Sequence, residues 1–195
     1  MSAPDKAVLQ LERDGAQLVG HALSPKEVQA LLERLGSLDK GHAGLRLARL
    51  DEFRDWLGAE GIVGQIAAHW LGPKVRPVRA ILFDKNADLN WALGWHQDRT
   101  IAVKERVDVP GFCKWNRKDG IHHVEPPFEL IERMLTLRVH LDRVSDSNAP
   151  LLISPGSHRV GKILESNLAK VVESQGCFGC LAEPGDVWVY RTAIL

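Results

Sequence analysis

The chain has 195 residues, of which 45% are hydrophobic and 26% are charged, and its formal net charge is zero. This length suits one sizeable core and is too short for two comfortable domains. The balanced charge argues against a role on nucleic acid or on a membrane surface that depends on bulk charge.

The first 73 residues are predicted to be mainly helical. Ser24, Pro25 and Glu27 indicate a helix start, because the serine can cap the helix, the proline fits the first turn and the glutamate can reach back to the cap. Apolar residues then recur at helical spacing as far as Gly36. Shorter helices are predicted over residues 7–13, 53–57 and 62–70, and a brief strand over residues 17–19. We expect these helices to support a sheet.

From residue 74 the pattern changes to strands. Strands are predicted over residues 75–83, 93–98, 100–103, 134–142 and 151–154, followed by a helix over residues 163–172. Residues 177–181 and 187–194 are predicted to form a final hairpin around a turn at residues 183–186. Residues 104–132 are irregular, and an irregular segment of this length is usually functional or disordered.

His96 and Asp98 are the first candidate functional residues. Because side chains two apart in a strand point to the same face, the predicted strand would bring these two together. An imidazole and a carboxylate from one strand make two thirds of the ligand set, two histidines and one carboxylate, that holds non-haem iron(II). The alternative interpretation is a half-buried polar pair at a strand end, since this spacing is common by chance.

Four sequence blocks occur in an order that is typical of one enzyme family. They read RAILFDK (79–85), WHQD (95–98), NAPLLISPGSHR (148–159) and GDVW (185–188). In these blocks the chain resembles the phytanoyl-CoA dioxygenase family. The resemblance implies a fold that is mainly β with N-terminal helices (α+β), with a double-stranded β-helix core of the jelly-roll, cupin-like type. It implies a single domain over residues 1–195, with a helical buttress over 1–73 and a core over 74–195 that is cut off before its last strands.

The resemblance also implies an iron(II)- and 2-oxoglutarate-dependent dioxygenase that hydroxylates a small molecule with molecular oxygen and releases succinate and carbon dioxide. His96 and Asp98 would bind the iron, and the distal histidine of the family is expected just beyond Leu195. Because the sequence ends on apolar residues, we expect the natural chain to continue. If it does not, the protein is a degenerate or non-catalytic β-helix binding protein, or it recruits His140 or His158. A cupin-like metal enzyme that ignores 2-oxoglutarate is a third class.

The far carboxylate of 2-oxoglutarate requires a cation, because an unpaired charge in a pocket is heavily penalised. Arg138 is the first candidate, since a guanidinium can hold a carboxylate through two parallel hydrogen bonds. It alternates in its predicted strand with apolar residues, and the alternative interpretation is a solvated surface arginine. Arg79 and Lys85 are the next candidates.

Residues 104–132 would act as a lid over the pocket, with Trp115, His122 and His123 as the candidate lid residues for the substrate. The alternative is a surface excursion without a catalytic part. Cations and carboxylates are interleaved along this segment, so we infer no anionic substrate from it.

Apolar runs and cysteine content indicate the cellular location of the protein. No apolar run approaches the length of a membrane span, and residues 1–6 show no signal-peptide pattern. Its three cysteines are an odd number and form no disulfide framework. We therefore expect a cytoplasmic protein that acts on a small molecule and binds neither nucleic acid nor a membrane.

Overall fold

The structure is a computed structural model and describes residues 8–38, 44–47, 49–84 and 93–195. Its α-helices in this part of the chain are α1 (Leu11–Asp14), α2 (Pro25–Gly36), α3 (Arg54–Leu57), α4 (Ile62–Leu71), α5 (Phe128–Glu132) and α6 (Leu168–Gln175). Short 3-10 helices cover Leu50–Phe53, Ser157–Arg159 and Glu165–Asn167. Of the helices in these residues, none is both long and apolar enough to span a membrane.

The strands of the described residues are short and pair antiparallel throughout. They are β1 (Ala16–Val19), β2 (Gly44–Arg46), β3 (Ile81–Phe83), β4 (Ile101–Val103), β5 (Cys113–Lys118), β6 (Ile121–Glu125), β7 (Leu135–Val139), β8 (Leu151–Ile153), β9 (Phe178–Cys180) and β10 (Val187–Arg191). They form sheets in the orders β1-β10-β7, β2-β3, β4-β6-β5 and β8-β9.

Helix α2 begins as the sequence predicts. The Ser24 hydroxyl accepts a hydrogen bond from the Glu27 amide at 3.4 Å, and the Glu27 carboxylate accepts one from the Ser24 amide at 2.6 Å. This reciprocal cap satisfies amides that the first turn would otherwise leave unpaired. The buried face of α2 then packs against Val187 and Val189 of β10. The predicted support of a sheet by the N-terminal helices is confirmed here.

Strand β10 lies between β1 and β7, and its side chains enter two different buried clusters on the two faces of this sheet. Val187 and Val189 face the helices, whereas Trp188 packs on the opposite face in a second cluster with β8 and β9. In β7 the predicted alternation is confirmed, because its two leucines and its valine pack against the buried cluster that contains Val187, Val189 and the buried face of α2. The register places Arg138 beside Trp188, and Thr136 beside Tyr190. The polar side chains of β7 therefore lie on the face turned away from the helices.

The predicted final hairpin is wrong. Strand β9 pairs with β8, whereas β10 pairs with β1 and β7. The turn at residues 183–186 does form, with the Asp186 amide donating to the Glu183 carbonyl at 3.1 Å and Gly185 at φ +91°. However, Leu23 donates to the Gly185 carbonyl at 2.9 Å and fixes the turn against the connection between β1 and α2. The turn consequently carries the chain from one sheet to another.

The prediction of an irregular segment over residues 104–132 is also wrong. Strands β5 and β6 form a hairpin there, and β6 pairs on its other side with β4. Asp119 at φ +51° and Gly120 at φ +77° supply the left-handed turn that a two-residue hairpin loop requires. The sheet β4-β6-β5 is called the lid sheet below, after its predicted role.

Residues 93–98 do not form the predicted strand. The segment over residues 93–100 is irregular, and the first strand after it is β4. The predicted strand over residues 75–83 is likewise reduced to β3, and the helix predicted from residue 163 begins at Leu168. The two strands were predicted from runs of apolar and β-branched residues, and such a run does not supply a neighbouring strand to pair with.

Candidate functional site

His96 lies in the irregular segment, with its side chain exposed. Its Nδ1 is 2.7 Å from the Gly94 carbonyl oxygen. Because a carbonyl can only accept, this contact assigns the ring proton to Nδ1 and leaves the lone pair on Nε2. A histidine that donates through one ring nitrogen in this way presents the other to a metal.

Asp98 is partly exposed at 39%, and its Oδ2 lies 3.5 Å from Nη2 of Arg79. A long ion pair between two partly exposed side chains contributes little to stability. A metal ion could therefore take up the Asp98 carboxylate at small cost to the fold. The strand that was predicted to bring His96 and Asp98 together is absent, so their proximity depends on how this irregular segment is held.

The sheet β1-β10-β7 is called the central sheet below. Arg138 and Tyr190 lie on its face that is turned away from the helices. Burial raises the pKa of the Tyr190 phenol, the Asp98 carboxylate raises it further, and Arg138 opposes the rise. The Arg138 guanidinium lies 5.7 Å from the centroid of the Phe83 ring. The Asp98 carboxylate and the Arg138 guanidinium are therefore both within electrostatic reach of the Tyr190 phenol. Sequence reasoning missed Tyr190, which only the register of β10 reveals.

The other candidate cations and lid residues differ in their surroundings. Arg79 lies beside Asp98, whereas Lys85 lies outside the described residues. Trp115 is partly exposed, with the Arg106 guanidinium 5.5 Å from its ring centroid. His122 is partly exposed, but His123 is fully buried in the middle strand of the lid sheet. The lid prediction for these residues stays a prediction.

A third metal ligand is not found in the part of the chain that the structure describes. No group of three His, Cys, Asp or Glu side chains there could hold a metal ion. His140 and His158 therefore do not join His96 and Asp98 in such a group. The assignment of His96 and Asp98 as metal ligands, with a distal histidine as the third, stays a prediction.

Buried and partly buried histidines are expected to lower the stability of the protein in acid. Burial, assisted by Arg138 and opposed by Asp186, lowers the pKa of His140 to about 4. Burial also lowers the pKa of His123 and of His158. Between about pH 6.5 and pH 4 the unfolded chain binds a proton at His140 that the native state does not bind, so stability decreases as the pH falls through this window.

We expect this effect at His140 to reach about 3 kcal/mol in the free energy of unfolding between pH 7 and pH 4. Urea denaturation of the wild type and of His140→Leu at the two pH values measures it. The variant should lose less stability on acidification than the wild type. An equal loss in both proteins would show that His140 titrates normally.

Comparison with known protein families identifies the family of this chain. The sequence matches the model of the family described as Phytanoyl-CoA dioxygenase (PhyH) over residues 11–192. No curated protein sequence gives a significant match.

Several solved structures are similar in fold. EctD from S. alaskensis with 2-oxoglutarate and 5-hydroxyectoine has a TM-score of 0.60 at 18% identity, covering 99% of this chain and 71% of that chain. The same protein with bound Fe has a TM-score of 0.54 at 17% identity, covering 99% and 72%. SnoN, a non-heme alpha-ketoglutarate-dependent epimerase from nogalamycin biosynthesis, has a TM-score of 0.54 at 14% identity, covering 94% and 69%. At these identities the likeness shows the fold alone, but the family match spans most of the sequence, and the chain belongs to the phytanoyl-CoA dioxygenase family.

Proposed function

We propose that this protein is an iron(II)- and 2-oxoglutarate-dependent dioxygenase that hydroxylates a small molecule and releases succinate and carbon dioxide. The observation that carries the proposal is His96, whose Nδ1 donates to Gly94 and leaves Nε2 available to a metal, two residues from the carboxylate of Asp98. Family membership supports the same chemistry. So do the solved EctD structures, whose ligands include Fe and 2-oxoglutarate.

The core is proposed to be a double-stranded β-helix. Its support is the packing of two separate sheets against each other, since Trp188 of the central sheet shares a buried cluster with Ile153 of β8 and Cys180 of β9. Facing sheets of this kind enclose a core between their inner faces. Arg138 and Tyr190 lie on the inner face, where a cosubstrate pocket of this fold would be.

His96 Nε2 and the Asp98 carboxylate would hold the iron, with the predicted histidine after Leu195 as the third ligand. When bound, the ferrous ion and 2-oxoglutarate supply the oxidising chemistry, and the protein supplies binding and orientation. Gln97 supports this arrangement, because its side chain donates to the Ala193 carbonyl at 2.7 Å and so places the end of the described chain beside the candidate pair.

Arg138 is proposed to bind the far carboxylate of 2-oxoglutarate. Its neighbour Cys180 is fully buried, and burial raises the pKa of the Cys180 thiol to about 12. In surroundings of this kind an ion pair is much stronger than it is in water. The same surroundings would exclude water from the bound cosubstrate.

A non-catalytic β-helix binding protein is the second candidate. It is favoured by one specific observation, namely that no group of three metal-binding side chains occurs among the described residues. The two functions differ in turnover, because a binding protein would retain 2-oxoglutarate unchanged.

Succinate release tests the proposed function. The full chain, supplied with iron(II), ascorbate, oxygen and 2-oxoglutarate, is expected to produce succinate at a slow basal rate that rises when a metabolite panel contains the substrate. Omission of iron should remove the signal. Failure of the iron-loaded, folded protein to release succinate above the protein-free control would favour the binding protein.

A further inference from the structure

Gln97 stands between the two candidate ligands and is almost fully buried, at 4% exposure. Its amide nitrogen donates to the carbonyls of Ala193 at 2.7 Å and Gly161 at 3.0 Å, and its Oε1 accepts from the Ile163 amide at 2.9 Å. The orientation of the side-chain amide follows from these partners, since two carbonyls require its NH₂ group and one N–H requires its oxygen. All three bonds go to main-chain atoms far away in the sequence.

Residues 161–163, here called the brace segment, contact two other parts of the molecule. The Arg99 guanidinium donates to the Ile163 carbonyl, whereas the Ile163 amide donates to Gln97. On its other side, Lys162 binds the buried carboxylate of Glu125 in β6 at 2.5 Å. The brace segment therefore connects residues 93–100, here called the candidate ligand segment, with the lid sheet.

The candidate ligand segment depends on these side-chain bonds because it has no strand to support it. Residues 93–100 belong to none of the sheets in the described part of the chain. His96 is exposed, and the Asp98 ion pair with Arg79 is long and partly exposed, so neither contact fixes the main chain firmly. Gln97 and Arg99 hold the segment through residues on either side of Asp98.

We propose that Gln97 is a positioning residue that fixes the main chain between His96 and Asp98 to the brace segment and to Ala193, and thereby sets the direction of both side chains. This inference rests on the proposed function, because it concerns the same metal pair. Gln97 does not itself bind the metal, since its amide is saturated by main-chain partners. Supporting residues that orient metal ligands typically change metal affinity by about 10- to 100-fold when they are removed.

The test compares Gln97→Met with Gln65→Met. Methionine has a similar length but cannot form the three hydrogen bonds. Gln65 is a matched control, because its amide also donates to a main-chain carbonyl, that of Glu60 at 2.8 Å, on an exposed part of α4. Anaerobic titration with Co(II) is expected to show roughly 10- to 100-fold weaker binding for Gln97→Met and an affinity within about twofold of the wild type for Gln65→Met.

Amide hydrogen exchange provides a readout that does not require metal binding. Gln97→Met is expected to accelerate exchange at Ile163, whose amide donates to Gln97, whereas amides of β7 and β10 keep their wild-type protection. If the wild type binds no metal, the proposed function fails, and exchange alone then decides whether Gln97 holds the brace segment. Unchanged exchange at Ile163 would overturn the inference, as would unchanged Co(II) affinity in a variant whose Ile163 amide exchanges faster.

A milder variant covers the case in which Gln97→Met does not fold. Arg99→Met removes the neighbouring bond to the Ile163 carbonyl from a side chain that is only partly buried. It should weaken Co(II) binding in the same direction by a few-fold and accelerate exchange at Ile163. An affinity and an exchange rate equal to those of the wild type would contradict the role of the brace segment.

Discussion

Replacing Asp98 with alanine is expected to lower the affinity for iron(II) by at least about 100-fold, and His96→Ala is expected to do the same. Removal of a ligand should cost more than removal of a residue that only supports one, for which about 10- to 100-fold is typical. The fold should survive, because His96 is exposed and the ion pair of Asp98 with Arg79 is long. Anaerobic iron titration measures the affinity, and circular dichroism reports the fold.

Two exposed residues provide matched controls for these variants. Asp108 is 81% exposed, and His69 lies on the exposed face of α4. Asp108→Ala and His69→Ala remove the same chemical groups from exposed positions outside the candidate pair and should leave iron binding unchanged. Wild-type affinity in Asp98→Ala would remove the carboxylate from the metal site.

Arg138→Met is expected to weaken 2-oxoglutarate binding while iron binding is retained. Truncating one partner of a buried, hydrogen-bonded charge pair costs about 2–5 kcal/mol, which corresponds to roughly 30-fold to several thousand-fold in affinity. Methionine keeps most of the apolar stem of the arginine and lacks its charge. Anaerobic titration of the iron-loaded protein with 2-oxoglutarate measures the change.

Arg79→Met and Lys85→Met separate the three candidate cations. Because Arg79 contacts the Asp98 carboxylate, its loss should alter iron affinity more than cosubstrate affinity. If Arg79→Met or Lys85→Met instead shows the large loss of 2-oxoglutarate affinity while Arg138→Met binds normally, Arg138 is not the anchor.

The sequence predicts correctly those elements that depend only on neighbouring residues, such as the start of α2 and the alternation of β7. The cap of α2 needs only Ser24, Pro25 and Glu27, which lie within four consecutive positions. The alternation of β7 likewise needs only one stretch of sequence, and it places Arg138 on the face opposite the helices. Both predictions are confirmed because their causes lie within one turn or one strand.

The candidate ligand segment could not be predicted in this way. Its conformation depends on Gln97, whose partners Gly161 and Ala193 lie 64 and 96 positions further along the chain. A sequence window around WHQD contains neither partner, so an apolar run was interpreted as a strand. The hairpin loop at Asp119 and Gly120 is a different case. Its turn signal is local in the sequence, but it was missed because charged residues surround it.

The most direct test of the central claim is the visible absorption of the full chain with iron(II) and 2-oxoglutarate in the absence of air. If His96 and Asp98 hold the metal where the cosubstrate can chelate it, adding 2-oxoglutarate should produce a weak charge-transfer band that neither component gives alone. A folded protein that shows no such band with both components at saturating concentration would contradict the account.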